Sequence, residues 1–256
     1  TSRRQRQMCI RDRYKIKNNL MNVAIIGYGK MGKEVEKILS ERGHVISKII
    51  DIETHDMDLG NSDVAIIFSA PKSVYKHIIN CLDSKVAVVC GSTGWTGKLE
   101  DSVNYCKSVD GSFIFSPNFS IGVNLFFKLN NFLCKIMKNH SDYRLEILEK
   151  HHTEKVDKPS GTAIKLADDI ILNSNYSEWT TDNNVDQKTF NIKSIREGEI
   201  KGYHEVEYIS ENDSIKICHN ANSRHSFAYG AVLSAEFIFG KKGVYSIDDV
   251  INNLKI

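Results

Sequence analysis

Six cysteines are spread through the 256 residues without a single C-x-x-C pair: Cys9, Cys81, Cys90, Cys106, Cys134 and Cys218. Such spacing excludes the common zinc-binding cysteine frameworks and argues against a disulfide scaffold. It leaves reduced thiols that serve as small hydrophobes in a cytoplasmic compartment. Long apolar runs are missing as well: the stretch 86–89 is typical, far short of the roughly 18 residues a transmembrane helix needs. A strong net charge is also absent. The total is +2, and residues 1–20 hold seven basic side chains (Arg3, Arg4, Arg6, Arg11, Arg13, Lys15 and Lys17) against Asp12 alone, a local +6 that leaves −4 for the rest. A mildly acidic body gives no basis for nucleic-acid binding. The basic leader, residues 1–20, has no apolar h-region and is therefore no secretory signal. It reads as translated adapter sequence ahead of Met21, with an organelle transit peptide as the alternative, and disorder is expected under either.

With 41% hydrophobic and 26% charged residues, the composition is that of a soluble globular protein able to bury one large core or two modest ones. From Met21 the pattern becomes orderly. Residues 22–26 form a short apolar strand, followed by Gly27-Tyr28-Gly29-Lys30-Met31-Gly32, a helical stretch over 33–42 closed by Gly43, and a second strand over 45–50. That strand ends in Asp51, nineteen residues beyond Gly32. Strand, glycine turn, helix, strand and acid in this order make the dinucleotide fingerprint. The glycines let backbone approach a pyrophosphate, and the carboxylate takes ribose hydroxyls. Because Asp51 is followed by Ile52 and Glu53 rather than by a cation, a 2′-phosphate would be repelled. NADH is thus the expected cofactor and NADPH the second candidate, with Lys48 on the same strand able to soften the preference.

The alternation continues with a strand over 63–68 ending in Ser69-Ala70-Pro71, a helix over 74–82, a strand over 85–90 ending in Gly91-Ser92-Thr93-Gly94, and a strand over 111–115 running into Ser116-Pro117-Asn118-Phe119. Small residues at successive strand ends suit a cofactor crevice, which in doubly wound sheets lies outside the carboxyl ends of the strands. The expected class is therefore α/β, with a Rossmann-type doubly wound parallel sheet. Further on come a helix over 162–172, a polar connection over 173–186 without hydrophobic period, three strands over 190–196, 203–210 and 213–219, and a helix over 228–239. Strands in succession predict an antiparallel sheet rather than more βαβ units.

The densest chemistry lies in the fifteen residues from Glu149 to Ala163, Glu149-Lys150-His151-His152-Thr153-Glu154-Lys155-Val156-Asp157-Lys158-Pro159-Ser160-Gly161-Thr162-Ala163. Adjacent imidazoles beside a lysine carry or release protons near neutral pH, and Ser160-Gly161-Thr162 at a helix start offers amide N–H groups to an anion. The matching ligand is a small carboxylate. No metal site is expected, since neighbours on an extended chain point to opposite faces and no cysteine or H-E-x-x-H partner stands nearby. Asp157 and Lys158 read as local cap and surface charge.

This element, with the glycine turn, Gly91-Ser92-Thr93-Gly94, Ser116 to Asn124, Arg224 to Ala231 and Gly240 to Tyr245, resembles the dihydrodipicolinate (4-hydroxy-tetrahydrodipicolinate) reductase family of lysine and diaminopimelate biosynthesis from Met21 to the C-terminus. The resemblance implies a dinucleotide-binding domain over 21–118 and 229–256. It also implies an inserted α+β mixed-sheet domain over 119–228 for substrate binding and homotetramer formation. By the same resemblance His151 is the general acid and Lys155 a cationic proton donor and electrostatic partner. His152, Lys155, Ser160, Gly161 and Thr162 hold the carboxylates of a small cyclic dicarboxylate. Gly27 to Gly32, Asp51, Ser69, Gly91, Ser92, Thr93 and Ser116 to Phe119 line the cofactor. Arg224 is a carboxylate clamp or a structural residue ahead of the last helix. Two features depart from the family pattern: a glycine turn one residue short with Lys30 where arginine is usual, and Ser92 where threonine is usual. Another Rossmann-type dehydrogenase of a small amino or hydroxy acid, and a non-catalytic NAD(H)-binding sensor, stay open as alternatives.

Overall fold

The computed structural model describes residues 20–52, 56–182 and 185–254. The expectations for the leader (1–19) and for Glu53 fall outside the described residues. The chain divides into two compact units, the first running to Pro117 and resuming at Ala228, the second covering Asn118–Phe227.

In the first unit, β1 (Asn22–Ile26), β2 (Val45–Ile50), β3 (Val64–Ile67), β4 (Ala87–Cys90) and β5 (Ser112–Phe115) join the late β11 (Gly243–Tyr245) in one sheet of order β11-β5-β4-β3-β1-β2. Every pairing is parallel. The reason is visible in burial: β3 and β4 are buried at every position and β1 at all but its first, as strands covered by helices on both faces must be. The helices are α1 (Lys30–Glu41), α2 (Pro71–Asp83) and α3 (Leu99–Ser108). Helix α1 starts three residues before the sequence-based boundary, directly after Gly29, and α2 starts at Pro71, whose missing N–H costs nothing in a first turn. The alternation of elements predicts neither α3 nor β11.

The second unit contains α4 (Ile121–Met137), β6 (Arg144–His151), α5 (Gly161–Asn173), β7 (Glu178–Thr180), β8 (Thr189–Arg196), β9 (Tyr203–Ile209) and β10 (Ser214–Asn220). The expected antiparallel sheet is mixed: its order is β10-β9-β6-β8-β7, with β6–β8 and β7–β8 parallel and the other pairs antiparallel. The parallel pair follows from α5, which lies between β6 and β8 in the chain and supplies the crossover a parallel connection needs. Short β7 lies inside the stretch 173–186, read from sequence as an unstructured polar connection. Its pairing to β8, rather than any period of its own, makes it a strand. Helices α4 and α5 bury Phe126, Cys134, Ala163, Leu166, Ala167 and Ile170 in one cluster with Leu145, Ile147, Phe190, Ile192, Val206 and Tyr208 of the sheet.

The chain then enters α6 (His225–Ile238), which continues into the first unit, and ends its described part with α7 (Ile247–Asn253), begun by a capping box between Ser246 and Asp249. A fork from Arg42 to Glu236, at 2.6 and 2.8 Å, with His44 at 2.8 Å from the same carboxylate, ties α6 to the end of α1. The described cysteines are free thiols, Cys81, Cys90, Cys106 and Cys134 buried and Cys218 exposed. Burial pushes the Cys81 and Cys90 thiols up to about 12, which suits packing rather than reactivity. Among the described residues no helix is long and apolar enough to cross a membrane.

Candidate active site

Because the strands of the first sheet are all parallel, their carboxyl ends form one edge. On it stand Gly27 to Gly32 after β1, Asp51 after β2, Ser69 after β3, Gly91 to Thr93 after β4, and Ser116 and Pro117 after β5. The chain leaves β1 for β2 on one side and returns to β3 on the other, which makes the end of β1 the switch point where doubly wound sheets bind ligands. Gly27 sits there at φ +93°, with its N–H on Ile50 O at 2.7 Å; a Cβ would lie 2.3 Å from Phe68 O. A Cβ on Gly32 would lie 2.3 Å from Gly27 O. Gly27 and Gly32 are thus held to glycine by close backbone contact, while a Cβ on Gly29 would meet nothing within 4 Å. Above the turn α1 begins with Gly29 at the cap and no side chain on its first amides, so those N–H groups remain available to an anion.

The other residues of this edge are held locally. Tyr28 donates its hydroxyl to Glu36, and Ser69 Oγ lies 3.0 Å from His77 Nδ1. Gly91 N–H reaches Ile67 O at 2.9 Å, and Ser92 is buried with its carbonyl accepting the Trp95 indole at 2.9 Å. Thr93, Gly29, Lys30 and Asp51 are exposed. The division between the units falls within Ser116-Pro117-Asn118-Phe119. Asn118 Oδ1 accepts the Ser120 amide at 2.9 Å and Phe119 is buried, both in the second unit. Gly32→Ala is expected to force the turn open at a cost of about 1–3 kcal/mol, a typical overpacking penalty. A lowered thermal midpoint together with weakened dinucleotide binding in a fluorescence titration would check it.

In the second unit, period-two alternation along β6 puts Leu145, Ile147, Glu149 and His151 on one buried face. The face is apolar where it meets α5 and ionisable at its carboxyl end. His151 is 6% exposed and closes β6, its Nδ1 3.0 Å from Glu149 Oε2. His152, which follows, is half-buried and points its amide to Ile200 O at 2.7 Å. Lys155 Nζ is 2.7 Å from Asp157 Oδ1. Ser160 caps α5 through Oγ, accepting the Ala163 amide at 3.3 Å, while its own N–H donates to Glu149 Oε1 at 3.2 Å. The Ser160 amide is therefore committed inside the protein and the Gly161 amide is turned to the Asp157 carboxylate, which leaves the Thr162 amide at the helix start to face an anion.

Three further residues complete this cluster, and none stands out in the sequence. Glu149 is fully buried. Arg196, at the end of β8, places Nη2 2.8 Å from Glu149 Oε1 and 2.6 Å from Asp157 O, stapling the 155–157 loop to the sheet. His204 on β9 sets Nε2 3.0 Å from Ser160 Oγ and packs its ring edge-on to His151 at 5.0 Å between centroids. Strand register explains the convergence: His151 pairs with Arg196, and Glu149 with His204. Burial favours the neutral form of Glu149, yet the polar groups of His151, Ser160, Ser194 and Arg196 around the carboxylate outweigh it and hold the carboxyl well below its usual range. Burial, reinforced by His151, lowers His204 to about 3, so that this imidazole stays neutral. Donor atoms of Glu149, His151 and His204 lie within 4.8 Å of one another, a spacing that resembles a metal cage. The Arg196 guanidinium on the same carboxylate opposes a second cation there.

Family models match both parts of the chain: "Dihydrodipicolinate reductase, N-terminus" over residues 21–119 and "Dihydrodipicolinate reductase, C-terminus" over residues 122–251. The 4-hydroxy-tetrahydrodipicolinate reductase of Christiangramia forsetii is 43% identical, covering 91% of this chain and 99% of its own. That of Buchnera aphidicola subsp. Schizaphis graminum is 33% identical, covering 98% and 94%. Among solved structures, a dipicolinate-bound dihydrodipicolinate reductase from Paenisporosarcina sp. TG-14 shares the fold with a TM-score of 0.72 at 23% identity, covering 92% of this chain and all of the other. A glycine cradle at the switch point of one unit, a His-His-x-x-Lys strand end in the other, and two family models that together span nearly all described residues place this chain in the dihydrodipicolinate reductase family.

Proposed function

We propose that this chain reduces 4-hydroxy-tetrahydrodipicolinate to tetrahydrodipicolinate in lysine and diaminopimelate biosynthesis, taking up a hydride and a proton and releasing water. The observation that carries the reading is the cluster at the carboxyl end of β6, where a buried histidine, a lysine and a capped helix start meet in a chain of this family. When bound, a reduced nicotinamide supplies the hydride to C4 of the conjugated ring. The remaining work falls to the chain itself. His151 protonates the enamine-like anion that hydride addition leaves, with Lys155 as cationic donor and electrostatic partner, and one of the two assists departure of hydroxide. His152 and Lys155 face the carboxylates, and the Thr162 amide and hydroxyl, with the Gly161 amide taken over from Asp157, bind one of them at the start of α5. Gly27 to Gly32 receive the pyrophosphate, and Ser69, Gly91 to Thr93 and Ser116 to Phe119 flank the nicotinamide ribose.

NADH is the proposed preference. Asp51 follows β2 where ribose hydroxyls are read, and Lys48, the cation best placed to welcome a 2′-phosphate, is engaged with Asp56 at 2.8 Å. The reading extends to a homotetramer built on the mixed sheet and to a cytoplasmic location, the latter supported by free thiols at every described cysteine. The test generates the unstable substrate in situ with its synthase and follows oxidation of NADH and of NADPH separately. Turnover with NADH favoured is the expected result. Dinucleotide binding without turnover would favour a sensor, and hydride transfer only to amino or hydroxy acids another dehydrogenase.

A further inference from the structure

We propose that Glu149 is a positioning residue for His151: its carboxylate, held by Arg196 and the Ser160 amide, fixes the imidazole through Nδ1 and leaves Nε2 as the nitrogen that delivers the proton. The inference rests on the assignment of His151 as general acid. Glu149 lies two residues before His151 on the same face of β6, so strand geometry alone brings the side chains together. The two oxygens of the carboxylate are divided. Oε1 accepts from Ser160 N–H at 3.2 Å and from Arg196 Nη2 at 2.8 Å. Oε2 stands 3.0 Å from His151 Nδ1, at ion-pair distance though off the line of a hydrogen bond, and neither atom has another hydrogen-bond partner among the described residues. A fully buried carboxylate with one oxygen anchored and the other turned to an imidazole is the arrangement that sets a histidine's tautomer and ring orientation.

The surroundings narrow the freedom of the ring further. His204 packs against it edge-on, while the missing side chain of Gly202, whose Cβ would come within 3.3 Å of Nε2, leaves room at that nitrogen. The charged and titratable groups facing the pair are Arg196 on β8 and His204 on β9, and His204 in turn feels His219 on β10 and Lys155 on the loop. His204 is neutral, so Arg196 is the cation that keeps Glu149 ionised. In the proposed cycle the N–H bond at Nε2 breaks as the substrate anion is protonated. The neutral ring keeps its proton on Nδ1 beside Glu149, and solvent returns the proton to Nε2.

Nitrogen-15 NMR of the full chain labelled at histidine tests this without reference to turnover: neutral His151 is expected as the Nδ1–H tautomer, and an Nε2–H tautomer would overturn the proposal. Glu149→Gln is expected to lower kcat roughly 10- to 100-fold, the range seen when a ligand-orienting partner is lost, with the substrate KM and NADH affinity little changed. A variant with wild-type kcat would sink the idea. Should the variant fail to fold, the wild-type tautomer decides. Zinc added alone is expected to leave the histidine spectrum unchanged; stoichiometric binding lost in both Glu149→Gln and His204→Gln would make the cluster a metal site and overturn the proposal. If the wild-type chain shows no turnover, the functional reading fails while the tautomer experiment still judges this one.

Discussion

His151→Gln is expected to lower kcat by roughly 10²-fold or more while the dissociation constant for NADH holds, because general acid catalysis by a positioned side chain contributes on that scale. Glutamine matches the imidazole in reach and polarity but has no proton to give near neutral pH. The substitution therefore removes the chemistry with little change of shape. His151 lies in the second unit, whereas the glycine cradle at the end of β1 belongs to the first, which is why the cofactor term should be untouched. Steady-state rates with substrate made in situ, alongside a fluorescence titration with NADH, separate the two quantities. Unchanged turnover would remove His151 from its proposed role.

Arg196→Met is expected to cost roughly 3–5 kcal/mol of stability near neutral pH, the usual penalty for stripping one partner from a buried ion pair. The methionine would leave the Glu149 charge, which is fully buried, without its guanidinium, and would cut the staple from Arg196 to Asp157 O. The pH dependence follows from the depressed carboxyl of Glu149. In the wild type its contribution is present above the ordinary value of 4.5 and is lost as pH falls through the lower folded value. In the variant the share of that depression supplied by Arg196 is gone, so the stability gap is widest at neutral pH and narrows on acidification below 4.5. Urea denaturation at several pH values measures it, and the Glu149→Gln, Arg196→Met double variant should recover part of the loss, since an uncharged pair leaves nothing uncompensated. A gap that stays constant with pH would show that Arg196 acts through packing alone.

Local pattern was enough for the dinucleotide-binding unit because its signals are local. Parallel strands buried on both faces read as continuous apolar runs, as 64–67 and 87–90 do, and the glycine turn needs its residue types at fixed spacing. Helix α4 has no legible amphipathic pattern because apolar residues surround it: Leu125, Leu129, Phe132 and Ile136 are exposed while Val123, Phe126 and Met137 are buried, so no single face stands out. Helix α3 has few apolar positions and a weak period, with only Ser102 and Cys106 buried.

The chemistry of the second unit divides along the same line. His151, His152, Lys155 and Ser160 to Thr162 are contiguous, and their types and spacing alone pointed to a proton donor beside an anion site. Glu149 belongs to the same run, yet its importance depends on Arg196 and His204, which lie 47 and 55 residues further along and carry no motif of their own. Only the parallel register of β6 with β8 and the antiparallel register of β6 with β9 bring them to one carboxylate. Contacts near in sequence follow from the fixed periods of strand and helix. The pairing of distant strands is chosen by burial of whole faces, a property no short segment holds.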